Sequence, residues 1–371
     1  MKILYDHQAF TMQKYGGVSQ YFIELYSHLY TMDTIQLEIS VLYSENSYYQ
    51  KLFHQRSIFS EKTILGQYLN FGKYIIINKI NEYNSKKQIT KENFDIFHPT
   101  YYDPYFLKYL NTKPYVLTVY DMIHELFPDM LKRNKISIQK KKVIDCATKI
   151  IAISENTRTD IIKFYEIDPN KIEVIPLATS LHMQNPDISL NLPQKYILFV
   201  GNRWSYKNFI FFIKSISSLL FKEKNLFMVC AGGDFFSYAE QSMLDELKIR
   251  SKVLHVTIKS ERTLAQLYRK ATLFVFPSLY EGFGIPVLEA FSCGCPVAAS
   301  NCSSLPEVGG DAVNYFDPYN SDSIKNVIED ILYNRAVQDS LRFRGFQRLK
   351  LFSWEKTALK TKKVYDNLLY Q

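Results

Sequence analysis

No apolar stretch in the chain approaches the roughly 18 residues that a membrane-spanning helix requires. The best candidate, Phe209 to Phe221, is short and carries Lys214, so no spanning helix is expected. Cysteine is scarce and odd in number: Cys146, Cys230, Cys293, Cys295 and Cys302. All but Cys302 stand in apolar or helical surroundings that suit small buried side chains, which fits a reducing cytoplasm. Cys293-Gly294-Cys295 leaves one residue between its sulfurs and has no second pair or nearby histidine, so packing rather than zinc is the reading. The start, Met1-Lys2-Ile3-Leu4-Tyr5-Asp6, lacks a positive lead, a long apolar run and a small-residue cleavage site, and reads as a first strand instead of a secretory leader.

What is present suits a folded protein: 371 residues, 47% hydrophobic and 22% charged, with a length that favours two domains. Lysine and arginine outnumber the acids by 45 to 37, so an anionic partner is expected, whether nucleic acid, nucleotide phosphate or acidic lipid. The densest basic stretch, Lys132-Arg133-Asn134-Lys135 with Lys140-Lys141-Lys142, brackets Ile136 and Ile138 and precedes Val143 and Ile144. That pattern predicts a basic amphipathic helix, either a solvated face or a contact with an anionic membrane surface.

Short β-rich runs recur with helical patterns between them, the mark of βαβ units around parallel sheets, so the fold class is α/β. One series is Lys2 to Tyr5, Leu37 to Tyr43, Phe94 to His98, Tyr115 to Tyr120, Ile150 to Ile153 and Ile172 to Ile175. The other is Tyr196 to Val200, Leu226 to Ala231, Val253 to Ile258, Leu273 to Phe276, Val297 to Ala299 and Val313 to Phe316. Between them, Pro176 to Pro193 has turn chemistry and no periodicity, which predicts domains over 1–175 and 195–350 joined by a linker over 176–194, with a terminal segment over 351–371. Two such sheets imply a cleft, with ligands at the carboxyl ends of the strands.

The richest stretch runs from Phe276 to Pro296. A strand ends at Pro277, Glu281-Gly282-Phe283-Gly284 forms a glycine loop, and a helix starts near Pro286. Loop amides and the positive end of that helix make an anion site suited to phosphate. Glu281 and Glu289 lie eight residues apart, at two levels, and carboxylates so placed suit a hydroxyl-rich ligand. A second cluster, Val200-Gly201-Asn202-Arg203-Trp204-Ser205-Tyr206-Lys207-Asn208, follows a strand and holds a planar cation and a point cation able to neutralise a diphosphate.

These motifs closely resemble the donor site of the retaining glycosyltransferases of family 4, whose GT-B fold pairs two facing Rossmann-like domains across a deep interdomain cleft; the resemblance covers nearly the whole chain. It implies that Glu281 contacts the transferred sugar and that Glu289 binds the ribose hydroxyls. It also places Gly282, Phe283, Gly284, Ile285 and Val287 around the sugar and phosphates, and sets Arg203 and Lys207 on the pyrophosphate. Gly16-Gly17 is similar to the family's glycine loop near the donor phosphates, with a plain flexible loop as the other reading. Val119 to His124 is similar to a family segment that often has histidine where Tyr120 stands. Asp121 and His124 are candidates for contact with acceptor or donor sugar, against a buried hydrogen-bonded role, and His98 is a similar candidate. Ser154 reads equally as a helix cap. In the motif Ser303 to Gly310, Glu307 either closes over the donor or belongs to a turn. The final helix from Phe352-Ser353-Trp354-Glu355 is expected to cross back onto the first domain.

The resemblance implies a transfer without a protein nucleophile, in which the leaving diphosphate helps deprotonate the incoming hydroxyl and the protein positions and stabilises charge. Asp-x-Asp, the metal-binding element of many other glycosyltransferases, is absent, so a cofactor-free, metal-independent enzyme is expected. Gly201-Asn202-Arg203 with Tyr206-Lys207-Asn208, and Tyr120-Asp121-Met122, look most like bacterial enzymes that add mannose or a related sugar from a GDP donor in O-antigen or capsule building. These work on lipid-linked acceptors at the cytoplasmic membrane face. Alternatives are a nucleotide-sugar 2-epimerase of the same fold and a UDP-sugar-dependent transferase. A phosphorylase lacks a marked lysine for pyridoxal phosphate, and nothing resembles a nucleic-acid recognition helix.

Overall fold

The structure, a computed structural model, describes residues 1–55, 70–128, 134–182, 190–203 and 205–369. Two compact units emerge, one of Met1–Leu177 with Trp354–Gln371 and one of Ala178–Ser353.

In the N-terminal unit β1 (Lys2–Tyr5) lies between β2 (Gln36–Ile39) and β3 (Ile96–His98), all parallel. A second parallel sheet joins β4 (Val116–Val119), β5 (Lys149–Ala152) and β6 (Ile172–Val174), and a single bridge from Phe97 to Tyr115 links the two. Helices follow the strands in the expected alternation: α1 (Gln8–Thr11), α2 (Gly17–Tyr30), α3 (Ser47–Phe53), α4 (Asn70–Thr90), α5 (Ile123–Leu126), α6 (Asn134–Cys146) and α7 (Glu155–Tyr165). The run read as Leu37 to Tyr43 stops as a strand at Ile39, because the Val41 N–H turns back to the Ile39 carbonyl at 2.8 Å.

The C-terminal unit is a six-stranded parallel sheet in the order β12-β11-β10-β7-β8-β9. Its strands are β7 (Lys195–Val200), β8 (Leu226–Ala231), β9 (Val253–Val256), β10 (Leu273–Phe276), β11 (Val297–Ser300) and β12 (Asn314–Phe316). Burial on both faces explains why the central strands β7, β8, β10 and β11 read as near-continuous apolar runs. The run from Phe209 forms α8 (Phe209–Lys222), whose Phe209, Phe212, Ile213, Ile216, Leu219 and Leu220 recur at helical spacing and enter the core beside Ile197, Phe199 and Met228. The periodic segment after Asn320 is α13 (Ser321–Tyr333), with Ile324, Ile328, Ile331 and Leu332 buried as a core face. The chain then forms α14 (Arg335–Leu349) and α15 (Trp354–Leu369).

α15 is part of the N-terminal unit, and its Tyr365 hydroxyl lies 2.7 Å from His98 Nδ1 and 3.2 Å from the Tyr5 hydroxyl. Thr357 donates to the Pro176 carbonyl at 2.8 Å.

Two readings need correction. The basic stretch is not uniformly solvated: Lys140 on α6 has no exposed surface, its Nζ lies 2.8 Å from Glu125 Oε2 and it donates to the Asp121 carbonyl at 2.9 Å. An interior carboxylate needs a cation, and helical spacing turns this lysine inward while Ile138 is exposed. Lys132 and Arg133 lie outside the described residues. Cys146, expected to be buried, is exposed at the last position of α6, whereas Cys230, Cys293 and Cys295 are buried free thiols.

Candidate functional site

In the C-terminal sheet β8 and β9 run to one side of β7, and β10, β11 and β12 to the other. The strand order therefore reverses between β7 and β10, and in open parallel sheets ligands bind outside the carboxyl ends at that reversal. Both motifs singled out from the sequence leave the sheet there. The β7 loop carries Lys207 and the β10 loop carries Glu281; Lys207 Nζ and Glu281 Oε1 are 2.6 Å apart, both side chains largely shielded from solvent. The Leu279 N–H donates to the Tyr206 carbonyl at 2.8 Å, tying the loops together. The Lys207 ammonium also sits 5.2 Å from the Tyr206 ring centroid and 5.3 Å from that of Phe276, so its cation is held in place before any anion arrives.

The loop that presents Glu281 is buttressed by two serines. The Glu281 N–H donates to Ser303 Oγ at 3.0 Å, and the fully buried Ser304 hydroxyl lies 2.8 Å from both the Glu281 and the Phe283 carbonyl oxygens. The motif Ser303 to Gly310 was read for Glu307; its serines are what hold the loop. Gly284 takes φ 110°, where an L side chain is strained, and a Cβ there would come within 2.9 Å of Leu305 Cδ2 on α12 (Leu305–Gly309). α11 (Ile285–Ser292) starts directly after it with Pro286 in the first turn, and the first N–H groups of a helix have no intrahelical partners. Phe283 is buried edge-on against Phe352, ring centroids 5.9 Å apart, and Val287 is fully buried. Phe283 can offer a ligand its backbone, whereas the Val287 N–H donates to the Gly284 carbonyl at 2.9 Å; Gly282 and the half-buried Ile285 complete the loop and first turn.

Glu289 lies one turn further along α11 and is half-buried. Tyr268, on α10 (Glu261–Lys270), donates to its Oε2 at 3.0 Å, and burial raises the carboxyl to about 7.

Arg203 is more committed than the sequence suggested. Its Nε lies 2.6 Å from Glu240 Oε1, and its Nη2 donates to the carbonyls of Asp234 and Phe235 at 2.7 and 3.1 Å. The guanidinium sits 4.6 Å from the Phe236 ring centroid. Nη1 is buried and has no hydrogen-bond partner. Burial pushes the Glu240 carboxyl up, but hydrogen bonds from Arg203 and Ser237 outweigh it and keep it low. Glu240 closes a capping box with Ser237 at the start of α9 (Tyr238–Glu246). The glycine loop whose Asp234 carbonyl accepts from Arg203, Ala231-Gly232-Gly233-Asp234, was missed by the sequence reading, although two glycines directly after a strand were the available signal. Gly233 has φ 66°, and a Cβ on it would lie 3.2 Å from the Gly201 carbonyl oxygen.

The remaining candidates belong to the N-terminal unit. Gly16 precedes α2 in extended backbone and Gly17 is its first residue, with open space where a Cβ would be. Asp121 Oδ1 accepts the Ile123 N–H at 3.1 Å and lies 3.8 Å from Lys140 Nζ. His124 is in the short α5. His98 has no exposed surface; its Nε2 contacts the Thr118 hydroxyl at 2.9 Å, and burial lowers its pKa to about 3. That is the buried hydrogen-bonded role. Ser154 caps α7 by accepting the Thr157 N–H at 3.0 Å.

Comparisons with known proteins fit this geometry. The model described as "Glycosyltransferase Family 4" matches residues 15–182, and "Glycosyl transferases group 1" matches residues 184–348. The chain is similar to the O-antigen chain mannosyltransferase B of Escherichia coli, 29% identical over 290 residues and spanning 74% of each protein. It is also similar to the O-antigen chain mannosyltransferase RfbU of Salmonella typhimurium, 29% identical over 216 residues, 58% of this chain and 60% of that one. The serotype-specific mannosyltransferase WbdA of E. coli is 28% identical over 261 residues, and the match spans only 32% of its length. Among solved structures, sucrose-phosphate synthase of Thermosynechococcus elongatus matches with a TM-score of 0.75 at 19% identity, covering 100% of this chain and 99% of that one. Anabaena HepE in complex with UDP and glucose matches with a TM-score of 0.72 at 14% identity, over 98% and 99%. The shared fold is GT-B, with two Rossmann-like domains.

Proposed function

The chain belongs to the glycosyltransferases of family 4, and from that premise we propose that it moves mannose or a related hexose, with retention, from a GDP-sugar to a lipid-linked saccharide in O-antigen or capsule building. The observation that carries the donor-site reading is the 2.6 Å pair of Lys207 and Glu281 at the strand-order reversal of the C-terminal sheet. The names of the similar mannosyltransferases support the sugar and the pathway class.

In this reading the diphosphate lies over the β7 loop and the start of α11. Lys207, Arg203 and the positive end of α11 stabilise the charge that grows on it. Glu281, with one oxygen taken by Lys207, positions sugar hydroxyls instead of attacking C1. Glu289 accepts from the ribose diol. The bond from C1 to the phosphate oxygen breaks with its electron pair passing to the leaving nucleoside diphosphate. The acceptor oxygen bonds to C1 on the same face, and its proton passes to the diphosphate. No cofactor is needed, and metal independence is part of the proposal: two fixed side-chain cations already face the phosphates. No helix among the described residues is long and apolar enough to cross a membrane. The proposal places the enzyme in the cytoplasm, meeting its lipid-linked acceptor at the anionic inner surface.

Calorimetry on the purified protein tests it, with GDP-mannose, other GDP-sugars, UDP-glucose, UDP-N-acetylglucosamine and the free nucleotides, with and without EDTA. Micromolar binding of a GDP-sugar, lost in Glu289→Ala and indifferent to EDTA, is expected. Binding confined to UDP-sugars refutes the donor, and no binding at all removes the site.

A further inference from the structure

The donor loops leave the carboxyl end of the C-terminal sheet, and a cavity of about 390 Å³ lies at its amino end. The stretch from Asn191 to Gln194 lines it on the way into β7, Asn225 stands directly before β8, and Phe227 and Leu254 are the second residues of β8 and β9. β7 spans six residues, so at about 3.3 Å per residue the two ends of the sheet are roughly 20 Å apart.

Strand register explains why the sheet is open here. Tyr196 pairs with Phe227, and Val229 with Leu254, so these four share one face, opposite to the face from which Ile197, Met228 and Val253 enter the core with α8. α10 covers the Tyr196 part of that face, where the Tyr196 hydroxyl donates to the Leu267 carbonyl at 2.7 Å, whereas Phe227 and Leu254 stay half-buried. The Lys252 ammonium lies 4.8 Å from the Phe227 ring centroid and donates to the Glu223 carbonyl at 3.0 Å and to the Lys224 carbonyl. That cation is held by backbone, and among the described residues no charged side chain lines the cavity itself.

We propose that this cavity is a second saccharide site, which holds a stretch of already built glycan while chemistry proceeds at the other end of the sheet. Asn191, Gln194 and Asn225 are exposed, and each carboxamide can both donate to and accept from sugar hydroxyls. Phe227 and Leu254, with Leu192 and Pro193, offer an apolar surface for the C–H faces of the rings. Ligand pockets run to roughly 300–1,000 Å³, so the volume suits a short run of linked rings. Uncharged walls leave the phosphates of a second nucleotide without a partner, which favours a glycan over a nucleotide as occupant. The inference rests on the transferase reading, because a glycan under construction is the ligand that such an enzyme has reason to retain.

Saturation-transfer NMR on the full chain tests it with mannotriose, maltotriose and methyl α-D-mannopyranoside, and calorimetry with GDP-mannose and UDP-glucose reports the donor site on the same samples. A trisaccharide is expected to receive saturation, more strongly than the single ring. Phe227→Leu, which keeps the apolar bulk and loses the ring, and Asn225→Ala, at an exposed position, should each cut that signal at least threefold with donor affinity unchanged. No transfer to either trisaccharide, or a signal that survives undiminished in both variants, overturns the site. A donor affinity that falls together with the signal in both variants also overturns it, because the cavity would then not be independent of the donor loops. Absence of donor binding in the unsubstituted protein instead overturns the transferase reading, so the two failures are separable.

Discussion

Glu289 shows how a residue's surroundings set its chemistry. Burial in α11 raises its carboxyl from the ordinary value to about 7, so near neutral pH it carries a proton part of the time. Between the ordinary carboxylate range and pH 7 the folded state holds a proton that the unfolded chain has released. The stability from the neutral form is thus present at low pH and is lost as pH rises through 7. In the proposed donor site the sign is opposite, because there a ribose diol donates to the ionised form. GDP-mannose affinity should increase several-fold from pH 6 to pH 8, and Glu289→Gln should flatten that profile while remaining folded. Calorimetric titrations at three pH values check this, and a flat profile for the unsubstituted protein contradicts the assigned role.

Among elements, the junction of β10, the Glu281 loop and α11 is the most constrained. Gly284 combines φ 110° with a Cβ position 2.9 Å from Leu305 Cδ2, so Gly284→Ala must strain the backbone, push α12 aside, or both. Strained positions of this kind cost about 1–3 kcal/mol. For a unit of this size the melting temperature should drop by several degrees, at roughly 2–4 °C per kcal/mol. Donor affinity should fall with it, since the loop that carries Glu281 and the first turn of α11 shift together. An unchanged melting temperature in differential scanning calorimetry refutes the strain argument.

For the molecule as a whole, the informative feature is that the chain's last helix belongs to its first unit. α15 buries Trp354, Ala358, Val364 and Tyr365, and Tyr365 bonds to His98 at the carboxyl end of β3. Truncation after Ser353 leaves Ala178–Ser353 intact and strips that apolar cover from Met1–Leu177. The N-terminal unit should melt far earlier or expose hydrophobic surface to a dye such as ANS, while nucleotide binding by the C-terminal unit should survive within a few-fold. Equal loss of both would contradict the division of the chain.

The sequence by itself determined the alternation of strands and helices, because strands buried on both faces must be continuous apolar runs, and three of them coincide with the runs read at Lys2–Tyr5, Leu226–Ala231 and Leu273–Phe276. It also marked both loops at the strand-order reversal, since glycine, proline and charge directly after a strand have few other uses. Tertiary structure alone decided what those charges do. Lys207 and Glu281 are 74 residues apart and meet only because β7 and β10 are neighbours. Arg203 turned out to be held by Glu240 and by a glycine loop that spacing did not relate to it. Lys140, one of a run of three lysines, became interior because Glu125 was buried opposite. Periodicity is a local property that a linear pattern records, whereas the partner of a charge is set by which strands lie side by side.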